Sequence, residues 1–288
     1  MKKIGLVLSG GMGKGAYQIG ALIALNEFFK PSDFKYVSAA SIGTLNAYSY
    51  LTNNLQNASA IWKSINFQRD KRFITSVLRS SFLQDIITNI VTDVTIPSTF
   101  YVPLLDLKNK ELNYYNFSDI SPNKIEPYLR ASIAMPFYNK GVSIDSKVLY
   151  DGAIVDNIPI YPVLKNELDY IICIYFDDSN YIFEDYYSDD KIIKLTFPDD
   201  KIISNSVYIS HESIMYMIKE GYQRTHRICS HIFSDGTDNL ETIYSKIMEQ
   251  NAISSQKALR ITGDVLVSNM NRVLQKVIRY ERRKKYEM

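Results

Sequence analysis

Cysteine is scarce in this chain. Only Cys173 and Cys229 are present, far apart, with Cys173 inside the apolar run "YIICIYF". That pattern argues against a disulfide framework and for buried free thiols, as in a protein of the reducing cytoplasm. Charge of one sign is also missing. The 33 Lys and Arg against 31 Asp and Glu leave a formal charge of +2, so no general electrostatic pull toward nucleic acid is expected. No apolar run approaches the roughly 20 residues that a membrane-spanning helix needs. The opening "MKKIGLVLSGG" imitates a signal peptide, but only Ile4 to Leu8 are apolar before polar residues follow, too few for an h-region. Any lipid contact is therefore expected to be peripheral. Repeats and low-complexity linkers are absent, which leaves no boundary at which to divide the 288 residues.

What is present is a regular alternation. "KKIGLVLSG" reads as a strand covered on both faces, and "AYQIGALIALNEFF" carries its apolar positions at helical spacing. "FKYVSAASIGTLNAYSYL" repeats the plan, with a strand to about Ala40, a sharp turn at Ser41 and a helix from about Gly43. Two such units predict a parallel sheet. Leu55 to about Thr95 reads as mostly helical, with Trp62 in the core. "STFYVPLLDL" and "KELNYYNF" read as paired strands, "SPNKIEPYLRASIAMPF" as a helix, "GVSIDSKVLYDGA" as a hairpin-like pair and "LDYIICIYF" as a buried strand. The acidic stretch "DDSNYIFEDYYSDD" lacks Ca²⁺-loop spacing and reads as an exposed loop, so no metal is assigned. From about residue 205 the chain is largely helical.

The loop "SGGMGKG" after the first strand admits three readings. A Walker loop fails twice, because Leu8 stands where its first glycine belongs and Gly15 replaces the Ser or Thr after Lys14. A dinucleotide fingerprint fits Gly11, Gly13 and Ala16 in spacing, but the second strand ends in "SAASIG" without the ribose-binding carboxylate. The third reading starts from that "SAASIGT". Ser41, with Ala39 two residues before and Gly43 two after, has the form of a nucleophile elbow, in which small neighbours let the strained turn expose a hydroxyl. A second constellation, "DGAIVDNIP" at 151 to 159, offers Asp151 as a base, provided that it meets the serine in space.

In order and spacing, "SGGMGKGAYQIGAL", "AASIGTLNA" and "ASIAMPFYNKGVSIDSKVLYDGAIVDNIP" resemble the glycine-rich loop, serine elbow and Asp-Gly-Gly/Ala block of the patatin-like phospholipases, over about residues 3 to 176. The resemblance implies a single α/β domain of three layers, α/β/α, with a mainly parallel central sheet and a helical C-terminal part. It implies a phospholipase A-type lipid acyl hydrolase with no cofactor, acting on phospholipid or other acyl-lipid esters. Ser41 and Asp151 would form the dyad, with Gly152 supporting the aspartate. Gly10, Gly11, Met12, Gly13, Lys14 and Gly15 would form the oxyanion loop. Met12 stands at the family's third consecutive glycine and Ala39 at the first glycine of G-x-S-x-G. A Cβ in a left-handed position would cost roughly 1–2 kcal/mol, yet methionine keeps the backbone N–H that an oxyanion hole uses.

Three alternatives stand beside the dyad. A Ser, Asp, His triad would recruit His211, His226 or His231; a lipid-binding homologue would lack catalysis; a nucleotide-binding oxidoreductase would use the glycine loop for phosphate. At the C-terminus, Leu266, Met270, Val273, Leu274, Val277 and Ile278 form an apolar stripe at helical spacing, followed by Arg279, Arg282, Arg283, Lys284 and Lys285. The stripe is expected to pack on the core and the basic tip to assist docking on anionic lipid.

Overall fold

The computed structural model describes residues 2–65, 81–136, 138–176, 189–197 and 210–258. The C-terminal stripe and basic tip, and residues 177–188 of the acidic stretch, lie outside these. The chain opens with β1 (Ile4–Leu8), α1 (Gly15–Leu25), β2 (Phe34–Ala39) and α2 (Ile42–Leu51). These are the two predicted strand-loop-helix units. α3 (Leu55–Ser64) and α4 (Ser81–Ile90) follow, then β3 (Thr99–Asp106), β4 (Glu111–Asn116) and α5 (Ile125–Ala131). The hairpin of β5 (Val142–Ile144) and β6 (Lys147–Asp151) leads to the short α6 (Tyr161–Leu164), β7 (Tyr170–Phe176) and β8 (Ile192–Phe197). Two long helices, α7 (His211–Ile232) and α8 (Leu240–Ala258), complete the described chain.

The eight strands form one mixed sheet of order β5-β6-β3-β2-β1-β7-β8, with β4 also on β3. Five strands, β3, β2, β1, β7 and β8, run parallel; β4 and β6 pair antiparallel with β3, and β5 antiparallel with β6. Apolar alternation in the central strands feeds two cores, because successive side chains leave a strand on opposite faces. Leu6, Leu8, Ile172 and Ile174 join the larger core beneath α1 and α7, whereas Val7, Ile171, Cys173 and Tyr175 join a smaller one capped by Ile158, Ile160 and Val163. Both faces of the sheet are thus covered, as the three-layer expectation required.

Helix α1 is buried on nearly all sides, which matches its apolar residues around the whole circumference. It is pressed against α7 through a reciprocal glycine contact. A Cβ at Gly20 would stand 2.0 Å from the Ile218 carbonyl oxygen, and one at Gly221 2.2 Å from that of Tyr17. The predicted helix at 121–137 is shorter than its pattern. A 3₁₀ turn at Pro122–Lys124 precedes α5, which ends at Ala131. The residues beyond it are diverted to the site, where the Ala134 carbonyl accepts the Asp151 N–H at 2.8 Å.

β1 lies between β2 and β7, with Leu8 in register with both Ala39 and Ile174. The chain moves outward on one side of β1, to β2 and β3, and later returns to its other side as β7. The carboxyl end of β1 is therefore a topological switch point, the place where open α/β sheets bind their ligands. The glycine loop leaves the sheet there.

Candidate active site

β3 brings the two candidate catalytic residues together. One edge of β3 is occupied along Tyr101–Asp106 by β4. Ser38 of β2 pairs with Tyr101, and Asp151 of β6 pairs with Leu104, so β2 and β6 share the remaining edge from opposite directions. Their carboxyl ends meet head-on between Tyr101 and Leu104. Ser41 follows one end and Asp151 is the other.

Ser41 sits between β2 and α2 at φ 53° and ψ −131°, a left-handed backbone state that L-residues rarely adopt and that costs of order 1–3 kcal/mol. The turn is held by the neighbours that the elbow pattern specified. Ala39 is buried at the end of β2 and its carbonyl accepts the Thr44 hydroxyl at 3.1 Å. The Gly43 N–H donates to the Ala40 carbonyl at 3.0 Å. A Cβ at Gly43 would lie 2.5 Å from the Ser9 carbonyl oxygen, so only glycine lets α2 start this close to β1.

Asp151 is 3% exposed. Its carboxylate accepts the Ala153 N–H at 2.9 Å, and the Ser41 hydroxyl lies close enough to influence its titration. Burial dominates its titration and raises the pKa from 3.8 to about 7, against the lowering effects of the Ser41 hydroxyl and then the Ala153 N–H. Gly152 packs where a Cβ would meet the Pro103 carbonyl oxygen at 2.4 Å, which seats the aspartate turn directly on β3.

The glycine loop closes the third side. A Cβ on Gly10 would stand 3.0 Å from Ser41 Cβ and 2.4 Å from Asn157 Oδ1. Gly10 N–H donates to the Asn157 carbonyl at 3.1 Å, Lys14 N–H to Gly11, and Gly15 N–H to Gly13 and Met12. Among the described residues, the N–H groups of Gly11, Met12 and Gly13 carry no such bond. Of the six loop residues named from sequence, these three have donors to offer. Met12 has φ 49°, the left-handed state expected at the family's third glycine. Lys14 is buried with its ammonium 5.9 Å from the Phe176 ring centroid, rather than solvated.

His226 lies 3.4 Å from Glu27 and His231 3.4 Å from Glu249, all of them substantially exposed, and His211 opens α7. No histidine contributes to the environment that sets the Asp151 pKa. Among the described residues no group of three or more His, Cys, Asp or Glu gathers to hold a metal ion, and no helix is long and apolar enough to cross a membrane. Cys173 and Cys229 are both buried free thiols. Two residues of the site escaped the sequence reading. Asn157 embraces Gly10 with its carbonyl and, at 3.4 Å, its side-chain amide, and Phe176 fills the space that a Cβ on Gly11 would need. Their only signal was a position inside the aspartate block or at a strand end.

The family model "Patatin-like phospholipase" matches residues 6–164. "Lysophospholipase NTE1" of Meyerozyma guilliermondii is 26% identical over 193 residues, 59% of this chain and 12% of that protein. Its namesake from Cryptococcus neoformans var. neoformans is 27% identical over 197 residues, 60% of this chain and 11% of that protein. The chain thus spans about a tenth of the length of these curated relatives. VipD from Legionella pneumophila aligns at a TM-score of 0.46 with 14% identity, over 88% of this chain and 75% of the other. The ExoU-SpcU complex of Pseudomonas aeruginosa aligns at 0.37 with 15% identity, over 96% and 66%. Since the family match runs through more than half of the chain and takes in the loop, the elbow and the aspartate turn, the protein belongs to the patatin-like phospholipase family.

Proposed function

We propose that the chain is a serine lipid acyl hydrolase of phospholipase A type, with Ser41 as nucleophile and Asp151 as its base. One observation carries the reading: β3 brings Ser41 beside a buried carboxylate whose pKa is raised to about 7, close to the pH at which a general base works best. Asp151 takes the hydroxyl proton as Ser41 Oγ attacks the ester carbonyl. The resulting oxyanion is received by the N–H groups of Gly11, Met12 and Gly13, beside the N-terminus of α1. Asp151 returns the proton to the departing alcohol, which leaves an acyl group on Ser41. Water then attacks the acyl-enzyme, gives a proton to Asp151 and releases the fatty acid, and the proton returns to Ser41 Oγ. No step calls on a cofactor, and the three histidines have no part in it.

Phospholipids and lysophospholipids are the substrates to offer first, the latter because the curated relatives are named lysophospholipases. Fatty-acid release from both, in vesicles and micelles, should be abolished in Ser41→Ala and reduced at least 10³-fold in Asp151→Asn, with both variants folded. Each of His211→Ala, His226→Ala and His231→Ala should retain most of the activity. A folded His→Ala variant as dead as Ser41→Ala would restore the triad; lipid binding without hydrolysis by the wild type would restore the non-catalytic reading.

A further inference from the structure

The glycine loop must hold its N–H groups at a fixed distance from Ser41, yet the two belong to different βα units. A buried side-chain chain joins them. Trp62 Nε1 on α3 donates to Asn46 Oδ1 at 3.2 Å. Asn46 Nδ2 on α2 donates to the Gly15 carbonyl at 3.0 Å and to Gln18 Oε1 at 2.9 Å. Gln18 Nε2 on α1 donates to the Ser9 carbonyl at 2.7 Å. Ser9 immediately precedes the loop 10–15 and Gly15 is its last residue, and Asn46 stands in the helix that starts at the residue after Ser41.

The direction of these bonds is fixed by chemistry. An indole N–H only donates and a backbone carbonyl only accepts, so neither carboxamide can be turned over without losing its partners at both ends. Gln18, Asn46 and Trp62 are 0%, 1% and 2% exposed. Buried carboxamides contribute little net stability compared with apolar residues of the same shape, because their desolvation offsets most of the hydrogen-bond gain. What they add is registry. Packing supports the same contact, since a Cβ on Gly15 would lie 2.8 Å from Ile42 Cγ1 and 2.9 Å from Trp62 Cζ2.

We propose that Gln18 and Asn46 are positioning residues that lock both ends of the oxyanion loop to the nucleophile helix. The inference rests on the proposed hydrolase reading. It acts through geometry, where a displacement of about 1 Å can lower a rate about 10²-fold.

The test compares an ester with its thiono analogue, p-nitrophenyl butyrate against the same ester with C=S in place of C=O. Sulfur is the poorer acceptor, so the oxo-to-thiono ratio of kcat/KM reports on the loop's donors and does not change when part of the sample is unfolded. In Gln18→Met and Gln18→Glu the oxoester kcat should fall about 10- to 100-fold, KM should stay within about twofold, and the ratio should shrink at least tenfold. Trp62→Phe keeps most of the ring packing and removes only the far end of the chain; its ratio should shift in the same direction, and it decides the matter if both Gln18 variants fail to fold. An unchanged ratio, with activity falling only in proportion to folded protein, overturns the positioning role. A folded wild type that hydrolyses neither ester and takes no phosphonate on Ser41 overturns the hydrolase reading, and the inference with it.

Discussion

In the proposed mechanism the burial of Asp151 serves chemistry at the expense of stability. Folded, it keeps its proton up to about pH 7, whereas an unfolded chain releases it near the ordinary 3.8. Between these values the folded state binds more protons, so the contribution of Asp151 to stability is complete in acid and is lost as pH rises through that window. Asp151→Asn, which cannot ionise, should melt at a higher temperature than wild type at about pH 8 and lose that advantage near pH 4, as differential scanning calorimetry would show. Catalysis has the opposite dependence, because the base must be ionised: wild-type kcat/KM should rise through an inflection near 7. Met12 permits a second residue-scale test. Glycine would relieve its left-handed backbone, worth about 1–2 kcal/mol, but would give back about 0.5–1 kcal/mol as chain entropy. Met12→Gly should therefore change stability by no more than about 1 kcal/mol in chemical denaturation and retain hydrolysis, since the proposed oxyanion contact uses only the backbone N–H.

Among the elements, the contact between α1 and α7 has the least room. Gly221→Ala would drive a methyl into the Tyr17 carbonyl. The expected outcome is a loss of about 1–3 kcal/mol, measured by denaturant titration. Elements of this kind were largely legible beforehand. The two strand-loop-helix units, the β3–β4 pair and the β5–β6 hairpin follow from local periodicity and turn residues; in the hairpin, Asp145 and Ser146 take consecutive positive φ values, the geometry of a tight hairpin turn. β8 has no turn or pairing signal of its own in the sequence, although "KIIKLTF" is apolar enough for a strand. α5 is shorter than its apolar period predicts, since that period says nothing of the Ala134 carbonyl bonding Asp151.

At the scale of the whole molecule, the site depends on pairings between distant segments. Ser41 and Asp151 were recognisable from their turns, but that both strands share one edge of β3 is a matter of register, which no local pattern encodes. Gln18 and Asn46 were overlooked for a related reason: a polar residue in a helix looks solvent-facing until the tertiary structure surrounds it. The central claim is that this shared edge assembles a reactive serine, and intact-mass spectrometry after treatment with a fluorophosphonate tests it most directly. One adduct per chain is expected, located on the peptide that contains Ser41 and absent from folded Ser41→Ala. A folded wild type that takes no adduct, or takes it on another residue while Ser41→Ala is labelled equally, would contradict it.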